Sequence, residues 1–358
     1  MASEPLTLLR ELVEIESPTY SPGVGRMAAR MAEELEGLGG SVRILDGDHV
    51  VAELDGEGEP LLLLGHTDTV WDEGTLRTMP FRVEDGRAYG PGVLDMKGCL
   101  VVMLEAIRQA PSRRRALRVF LTADEEHGSK TARGAMAAAA EGVAAALVVE
   151  PPAAHGNLKT ARKGVGRFHV AITGRPSHAG TAHADGASAV EELAHQIIRL
   201  HALTDHARGV SVNVGVVHGG TRENVVAAYA DARIDVRIAH HAEMERIGSL
   251  LHSLEPAIEG TRVDVDGEWT RPPLEPSEGS SKLFARARAV GQELGLDLRE
   301  VSSGGGSDGN LVGAYGVPVL DGLGAEGHGA HAHDEHIHLA SLPVRTSLLA
   351  GLLEDPGL

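Results

Sequence analysis

Three apolar runs in the first half of the chain each end in residues of a type that can ligate metals. PLLLLG leads into His66-Thr67-Asp68, LRVFLTA into Asp124-Glu125-Glu126, and AAALVV into Glu150. Between the first two lies GPGVLDMKG, with Asp95 in a glycine-rich loop. Open α/β sheets bind ligands beyond the carboxyl ends of their strands. If the runs are neighbouring strands, one imidazole and several carboxylates converge at one edge. Such nitrogen and oxygen donors suit divalent metal ions. His66 would ligate through a ring nitrogen. Residues two apart in an extended segment face the same way, so Asp68 can accept the other ring N–H and fix the tautomer. Glu125 and Glu126 are adjacent and diverge, so one can bind metal while the other faces a water.

The elements that must hold these residues follow from periodicity. PLTLLRELVEI and GRMAARMAEELEGLG read as helices, the second ending at glycines suited to a C-cap. SVRILD and VVAEL read as short strands. The continuous apolar run of PLLLLG fits a strand buried on both faces. FRVEDGRAYG predicts a hairpin around Asp85-Gly86. MKGCLVVMLEAIRQA and the alanine-rich stretch from Lys130 to Ala140 predict helices around the strand LRVFLTA. This β-α-β-α-β order implies a mostly parallel sheet covered by helices. Near Lys163 the texture changes to strand-helix-strand-strand-helix-strand, an α+β sandwich with one open sheet face. After Pro272-Pro273 the first texture returns, with a helix, the loop SSGGGSDGN, the strand VPVLDGLG, a histidine-rich loop and a helix from Leu339. The expected fold is therefore a two-domain α/β protein. Residues 1–162 and 273–358 form the large domain, and residues 163–272 are inserted into it.

Composition narrows the function. The chain has 358 residues, enough for two cores. Its formal net charge of −18 argues against a nucleic-acid partner, whose proteins are usually basic. The charge also means that an anionic substrate needs a local basic patch. Cys99 is the only cysteine, which excludes disulfide frameworks and cysteine-based zinc sites. MASEPLTLLREL lacks a basic segment followed by a cleavable apolar one. No apolar run approaches membrane-spanning length. A soluble, cytoplasmic protein with no membrane partner is expected.

GHTDTV, GPGVLDMKG, ADEEHGS, Glu150-Pro151, SHAG and a late glycine-flanked histidine occur in one order. In that order they resemble the zinc-dependent aminoacylases and carboxypeptidases, most of all the bacterial glutamate carboxypeptidases, from about residue 5 to the end. The resemblance implies a co-catalytic site of two Zn2+ per subunit, with Co2+ or Mn2+ as substitutes. It also implies that the inserted domain supplies a homodimer interface and lid. On this basis the metal ligands are His66, Asp95, Glu126, Glu150 and a late histidine, with Asp95 bridging because two dications repel. Glu125 is assigned as general base and acid, and Asp68 as the partner of His66. GAEGHGAHAHDEHIHL holds five histidines. The family's glycine turn followed by the ligand and an Asp-Glu pair selects His331, with His333 as the alternative. His328, His336 and His338 are expected to be non-ligands.

The resemblance also implies that His178, in PSHAG, reaches the partner subunit's site and stabilises the tetrahedral oxyanion. Arg271 and Asn224 match positions that hold a free α-carboxylate. Lys159, Arg162 and Lys163 could meet a second carboxylate or form a solvated basic cluster. GGGSDGN, with Ser307 and Asp308, resembles a glycine loop lining the pocket. No Gly-Lys-Ser/Thr follows it, so nucleotide binding is rejected. The implied activity is cleavage of an amide next to a free carboxylate in a small N-acyl amino acid or peptide, with release of glutamate. The alternative is an N-acyl amino acid deacylase of the acetylornithine or succinyl-diaminopimelate type. A non-catalytic metal-dependent binding protein would lack the base, and Glu125 is present.

Overall fold

Pro5 starts α1 (Pro5–Glu14) at a position where its missing N–H costs nothing. In α2 (Pro22–Gly37), the Ser21 hydroxyl caps the Gly23 N–H at 3.2 Å. Val24, Met27, Ala28, Met31 and Leu35 form its buried stripe. It stops at a Schellman turn. Gly39, at φ +86°, donates to Glu36 O, and Gly40 donates to Leu35 O. β1 (Ser41–Ile44), β2 (Val50–Leu54) and β3 (Glu57–His66) follow. The hairpin β4 (Arg82–Glu84) and β5 (Arg87–Tyr89) pairs Glu84 with Arg87 around Asp85 and Gly86, both at positive φ. Next come α3 (Gly98–Gln109), β6 (Arg115–Thr122), α4 (Arg133–Ala140), β7 (Ala145–Val148) and β8 (Leu158–Arg162). The middle segment runs β9 (Gly164–Thr173), α5 (Ala189–His201), β10 (Ser211–Gly219), β11 (Tyr229–Ile238), α6 (His241–His252) and β12 (Arg262–Arg271). The chain ends with α7 (Glu278–Glu293), β13 (Glu300–Ser303), α8 (Asp308–Ala314), β14 (Val319–Asp321), β15 (Gly327–His328), β16 (His336–His338) and α9 (Ser341–Glu354).

The computed structural model describes residues 4–110, 114–355 and 357–358. The chain divides into two units. The first is the chain through Ala161 with Pro276–Ser303 and Ser307–Leu358; the second is Arg162–Glu275 with Gly304–Gly306. In the first, eight strands run in the order β1-β2-β6-β3-β7-β14-β8-β13. The expected helix-covered, mostly parallel sheet is the one observed. Its parallel part is the centre, β6-β3-β7-β14, while β2 on one side and β8 on the other pair antiparallel. Leu61, Leu62, Leu63 and Leu64 of β3 are all fully buried. Leu61 and Leu63 join a core with residues of α1, α2, α3, α7 and α9. α4 and α8 also pack on the sheet. The chain leaves β3 for β6 on one side and returns to β7 on the other, a topological switch point. A small sheet, β15-β16-β5-β4, was not legible in the sequence beyond its hairpin.

In the second unit the antiparallel order is β10-β11-β9-β12. Alternation sends Phe168, Val170 and Ile172 into a core with Leu193 and Leu200 of α5 and Ile247 and Leu251 of α6. This is the expected α+β sandwich. β10 is an edge strand. Among the described residues, no helix is long and apolar enough to cross a membrane.

Glu192 of α5 is fully buried and anchors the loop before β12. Its carboxylate accepts the N–H groups of Ala257 and Ile258 at 2.8 and 2.7 Å, and bonds from Thr261 and Gln196. Burial pushes its pKa up, but these bonds outweigh burial and hold it below the ordinary value of 4.5. A depressed carboxylate pKa stabilises the fold above that value, and the contribution is lost as pH falls through the folded pKa. Glu192→Gln is therefore expected to cost about 1.5–3 kcal/mol at pH 7. The deficit should shrink toward pH 3.5. Thermal unfolding at the two pH values checks this, and an equal deficit at both would contradict it.

Candidate metal centre

Parallel register brings the strand ends together. Leu64 pairs with Val148 and His66 with Thr122. His66 and Glu150 each lie two residues past a paired position, so they emerge side by side. Glu125 and Glu126 leave β6 through a short 3-10 turn, Glu125–His127. Asp95 comes from the loop between β5 and α3. Gly92 opens that loop at φ +69°, where a Cβ would sit 2.5 Å from Thr69 Cγ2. The peptide bond after Asp95 is cis.

The two oxygens of Asp95 face different histidines. Oδ1 lies 3.0 Å from His66 Nε2, which is also 3.7 Å from a Glu150 oxygen. Oδ2 lies 3.3 Å from His331 Nε2, which is 3.3 Å from Glu126 Oε1. The arrangement has two halves sharing Asp95, one with His66 and Glu150 and one with His331 and Glu126. Ligand atoms of His66, Asp95 and Glu126 all lie within 4.8 Å of one another. Glu126 Oε1 is buried without a hydrogen-bond partner among the described residues. Its near neighbour is the His331 imidazole at 3.3 Å, and a buried carboxylate oxygen so placed suits a bound cation. These nitrogen and oxygen donors fit two divalent ions bridged by one carboxylate.

Electrostatics show the same demand. The Asp95 and Glu126 carboxylates push His331 up to about 10 against its burial. Burial works against charge on His66, yet Asp68 and Asp95 hold its pKa well above the ordinary range. Burial would raise the Asp95 pKa, but His331 and His66 hold it below the usual carboxylate range. The carboxylates thus favour positive charge at both imidazoles, a demand that bound metal ions would meet. His331 adopts φ +62°. That left-handed backbone costs a non-glycine residue about 1–3 kcal/mol and points to a functional constraint.

Asp68 does more than the sequence suggests. His66 Nδ1 donates to the main-chain carbonyl of Asp68 at 2.9 Å, while the Asp68 carboxylate is farther, at 3.3 Å. The tautomer is thus fixed chiefly by the backbone of Asp68, which leaves Nε2 facing Asp95. The Asp68 carboxylate instead accepts the N–H groups of Glu125 and Glu126 at 3.1 and 3.2 Å, and the Thr19 hydroxyl at 2.7 Å. It sets the backbone of both glutamates. Nothing in the sequence singled out Thr19. Glu335, also unassigned, binds the Asp95 loop; its only local signal is the Asp-Glu pair after the late histidine.

The other histidines of the late tract have different surroundings. His333 packs on Trp71, with ring centroids 5.5 Å apart. His336 Nδ1 donates to Asp334 O at 2.7 Å, and its ring lies beside Tyr89. His328 and His338 are exposed on the small sheet.

Ser307, expected in the substrate-binding set, sits inside the scaffold. It is fully buried, donates to Asp321 at 2.7 Å and caps α8 by accepting the Gly309 N–H. Asp308 beside it accepts the Thr122 hydroxyl at 2.7 Å and the Ser129 hydroxyl, tying the end of β6 in place. Lys159 and Arg162 are buried rather than solvated. Lys159 donates to Pro151 O, and Arg162 donates to the carbonyls of Gly305 and Gly306.

His178, Asn224 and Arg271 belong to the second unit. His178 is exposed. Its Nδ1 accepts the N–H groups of Gly180 and Thr181, both at 3.1 Å, so the ring proton sits on Nε2. Asn224 is exposed, and its carbonyl accepts the Ala179 N–H. Arg271 is buried at the end of β12. A side chain at Gly306 would meet its Cδ at 2.7 Å.

Residues 62–355 match the model of Peptidase family M20/M25/M40. The chain is 31% identical to carboxypeptidase G2 of Pseudomonas sp. (strain RS-16), over 98% of this chain and 88% of that protein. It is 26% identical to the succinyl-diaminopimelate desuccinylase of Thioalkalivibrio sulfidiphilus (strain HL-EbGR7), over 98% of each. Its fold is similar to that of aminopeptidase PepT from Bacillus cereus ATCC 10987, with a TM-score of 0.83 at 21% identity, covering 99% of this chain and 98% of that one.

The division into halves is testable. Glu126→Ala should lower the zinc content of chelator-stripped, reconstituted protein from two ions per chain to one. Elemental analysis after gel filtration reads this directly. Loss of both ions, or of neither, would contradict the division.

Proposed function

Because the chain belongs to Peptidase family M20/M25/M40, we propose that it is a two-zinc carboxypeptidase that releases glutamate from a small acyl or peptidyl donor. As a family member it is a hydrolase of peptide or acyl-amino-acid amide bonds. The observation that carries the two-metal reading is Asp95, with one oxygen toward His66 and the other toward His331. His66, Glu150 and Asp95 would hold one ion, and His331, Glu126 and Asp95 the other. Cobalt or manganese can replace zinc on such donors. Two bound ions supply Lewis-acid polarisation of the scissile carbonyl and acidify the attacking water.

Glu125 takes the proton of that water and delivers it to the leaving amine nitrogen. Asp68 holds the backbone of Glu125 and Glu126, so base and ligand keep their relation. His178 donates its Nε2–H to the oxyanion of the tetrahedral intermediate, from the partner subunit. The tautomer it needs is the one that the Gly180 and Thr181 amides impose. A preorganised donor of this kind is worth about 3 kcal/mol of barrier. Arg271 grips the substrate α-carboxylate through paired hydrogen bonds, with Asn224 beside it.

The sharing of His178 requires a homodimer. The edge strand β10 exposes Val216 and Val217, 43% and 50% accessible, and α5 exposes Val190 and Ile198, 45% and 70%. An open strand edge flanked by apolar side chains suits pairing with a second copy. The net charge of −18 opposes nucleic-acid binding. We place the enzyme in the cytoplasm, without a membrane partner.

The 31% identity to carboxypeptidase G2 supports glutamate release, and succinyl-diaminopimelate desuccinylases, up to 30% identical, support deacylation as well. The N-acyl amino acid deacylase remains the second reading, since the desuccinylase matches over 98% of both chains. Comparing kcat/KM on folate-like acyl-glutamates with that on N-acetylornithine and N-succinyl-diaminopimelate separates them. The carboxypeptidase assignment expects acyl-glutamates to be preferred. Preference for either deacylase substrate would defeat it.

The shared site has its own test. His178→Ala and Glu125→Ala homodimers should both be inactive. Mixed in equal amounts, half the dimers combine one chain of each and carry one intact site. Activity should return to about a quarter of the wild-type rate. Inactivity of verified mixed dimers would show that each site is complete within one chain.

A further inference from the structure

We propose that Glu335 is a positioning residue that sets Asp95 between the two halves of the metal centre. The inference rests on reading Asp95 as the bridging ligand. Glu335 is fully buried. Its carboxylate accepts four N–H donors. Oε1 takes Leu94 N at 2.9 Å and Asp95 N at 3.0 Å. Oε2 takes Gly92 N at 2.9 Å and the Trp71 indole Nε1 at 2.8 Å. Three of the four donors are thus the backbone of the loop that delivers Asp95, and one is the amide of Asp95 itself.

The placement matters because Asp95 serves both sides. Its two oxygens stand 3.0 and 3.3 Å from different imidazoles. Moving its backbone toward one half withdraws it from the other. Glu335 fixes that backbone from outside the loop. It follows His331 by four residues, and its own N–H donates to Ala332 O at 2.9 Å in the turn after His331. One short segment therefore carries the histidine ligand of one half and the clamp on the shared carboxylate. Trp71 links the two further, with its indole N–H on Glu335 and its ring against His333. The loop cannot hold itself, because its amides at Gly92, Leu94 and Asp95 would otherwise be buried donors without acceptors, a costly state. A carboxylate is the side chain that can accept four such bonds at once.

Glu335→Gln tests this. The amide keeps one acceptor oxygen, while its NH2 opposes two of the N–H donors. Partners of this kind, when lost, weaken metal binding or activity by about 10- to 100-fold. The variant should retain wild-type circular dichroism and bind zinc about 10- to 100-fold more weakly, with a changed Co(II) absorption spectrum. On zinc-saturated enzyme, kcat should fall while KM stays near wild type. A folded Glu335→Gln with wild-type zinc affinity and an unchanged Co(II) spectrum would overturn the proposal. Trp71→Phe covers the case in which Glu335→Gln does not fold. It deletes one donor and leaves the carboxylate, so it should weaken zinc binding by a few-fold; unchanged affinity and spectrum would also overturn the proposal. Asp95→Asn serves as the reference. If it binds two zinc ions with wild-type affinity, the ligand role of Asp95 fails, and this inference fails with it. Loss of zinc in Asp95→Asn with full retention in Glu335→Gln rejects the inference alone.

Discussion

Negative charge gathered at one edge of a buried sheet is the constraint on which the rest of this structure turns. Asp95, Glu126 and Glu150 crowd the ends of three strands, with Asp68 directly behind. Two like charges 4 Å apart at an effective dielectric of 20 repel by about 4 kcal/mol. Such a cluster persists only if positive charge is interleaved with it. Contacts with Asp68 and Asp95 lift the basicity of His66, and contacts with Asp95 and Glu126 lift that of His331. Two divalent ions would meet the same demand with greater charge and would use the imidazole lone pairs. Electrostatic compensation and Lewis-acid chemistry thus ask for the same geometry.

The scaffold makes that geometry hard to relax. The strands that lead to these residues are fixed by side chains buried on both faces, so their ends cannot drift independently. Polar groups then hold the loops. Asp68 takes the amides of Glu125 and Glu126, Glu335 takes those of the Asp95 loop, and Asp308 takes the hydroxyls of Thr122 and Ser129. Behind Glu150, the fully buried Arg345 of α9 donates to the carbonyls of Gly156, Gly322 and Gly324. Burial draws its pKa down to about 10, which leaves the guanidinium charged at neutral pH. Gly324 in turn donates to the Glu150 carbonyl. The loops at the site are therefore set by charged side chains satisfying backbone groups and, at Asp308, two hydroxyls.

Much of this was legible in the residues, and the reason is local. Apolar runs such as PLLLLG announce central strands, and a strand ending in His-Thr-Asp or Asp-Glu-Glu announces where donors emerge. The two textures of the chain reflect a sheet covered on both faces in one unit and on one face in the other. The remainder depends on contacts without a local pattern. Ser307 sits in a glycine-rich stretch that reads as a pocket lining, yet its hydroxyl is spent on capping α8 and on Asp321. Asp68 was expected to orient His66 through its carboxylate, and its main-chain carbonyl is nearer. Glu335 meets the Asp95 loop across 240 residues of sequence. Its partners are mostly backbone amides, which every non-proline residue carries and no motif records. Pattern reading finds side chains that act on ligands more readily than side chains that act on backbone.

The central claim is that one carboxylate, Asp95, joins two metal ions held by the His66–Glu150 and His331–Glu126 pairs. X-ray absorption at the zinc edge of the reconstituted protein tests it most directly. The account predicts a shell of nitrogen and oxygen neighbours and a zinc–zinc vector of about 3.5–4 Å. A spectrum from fully loaded protein with no zinc–zinc scattering would contradict it.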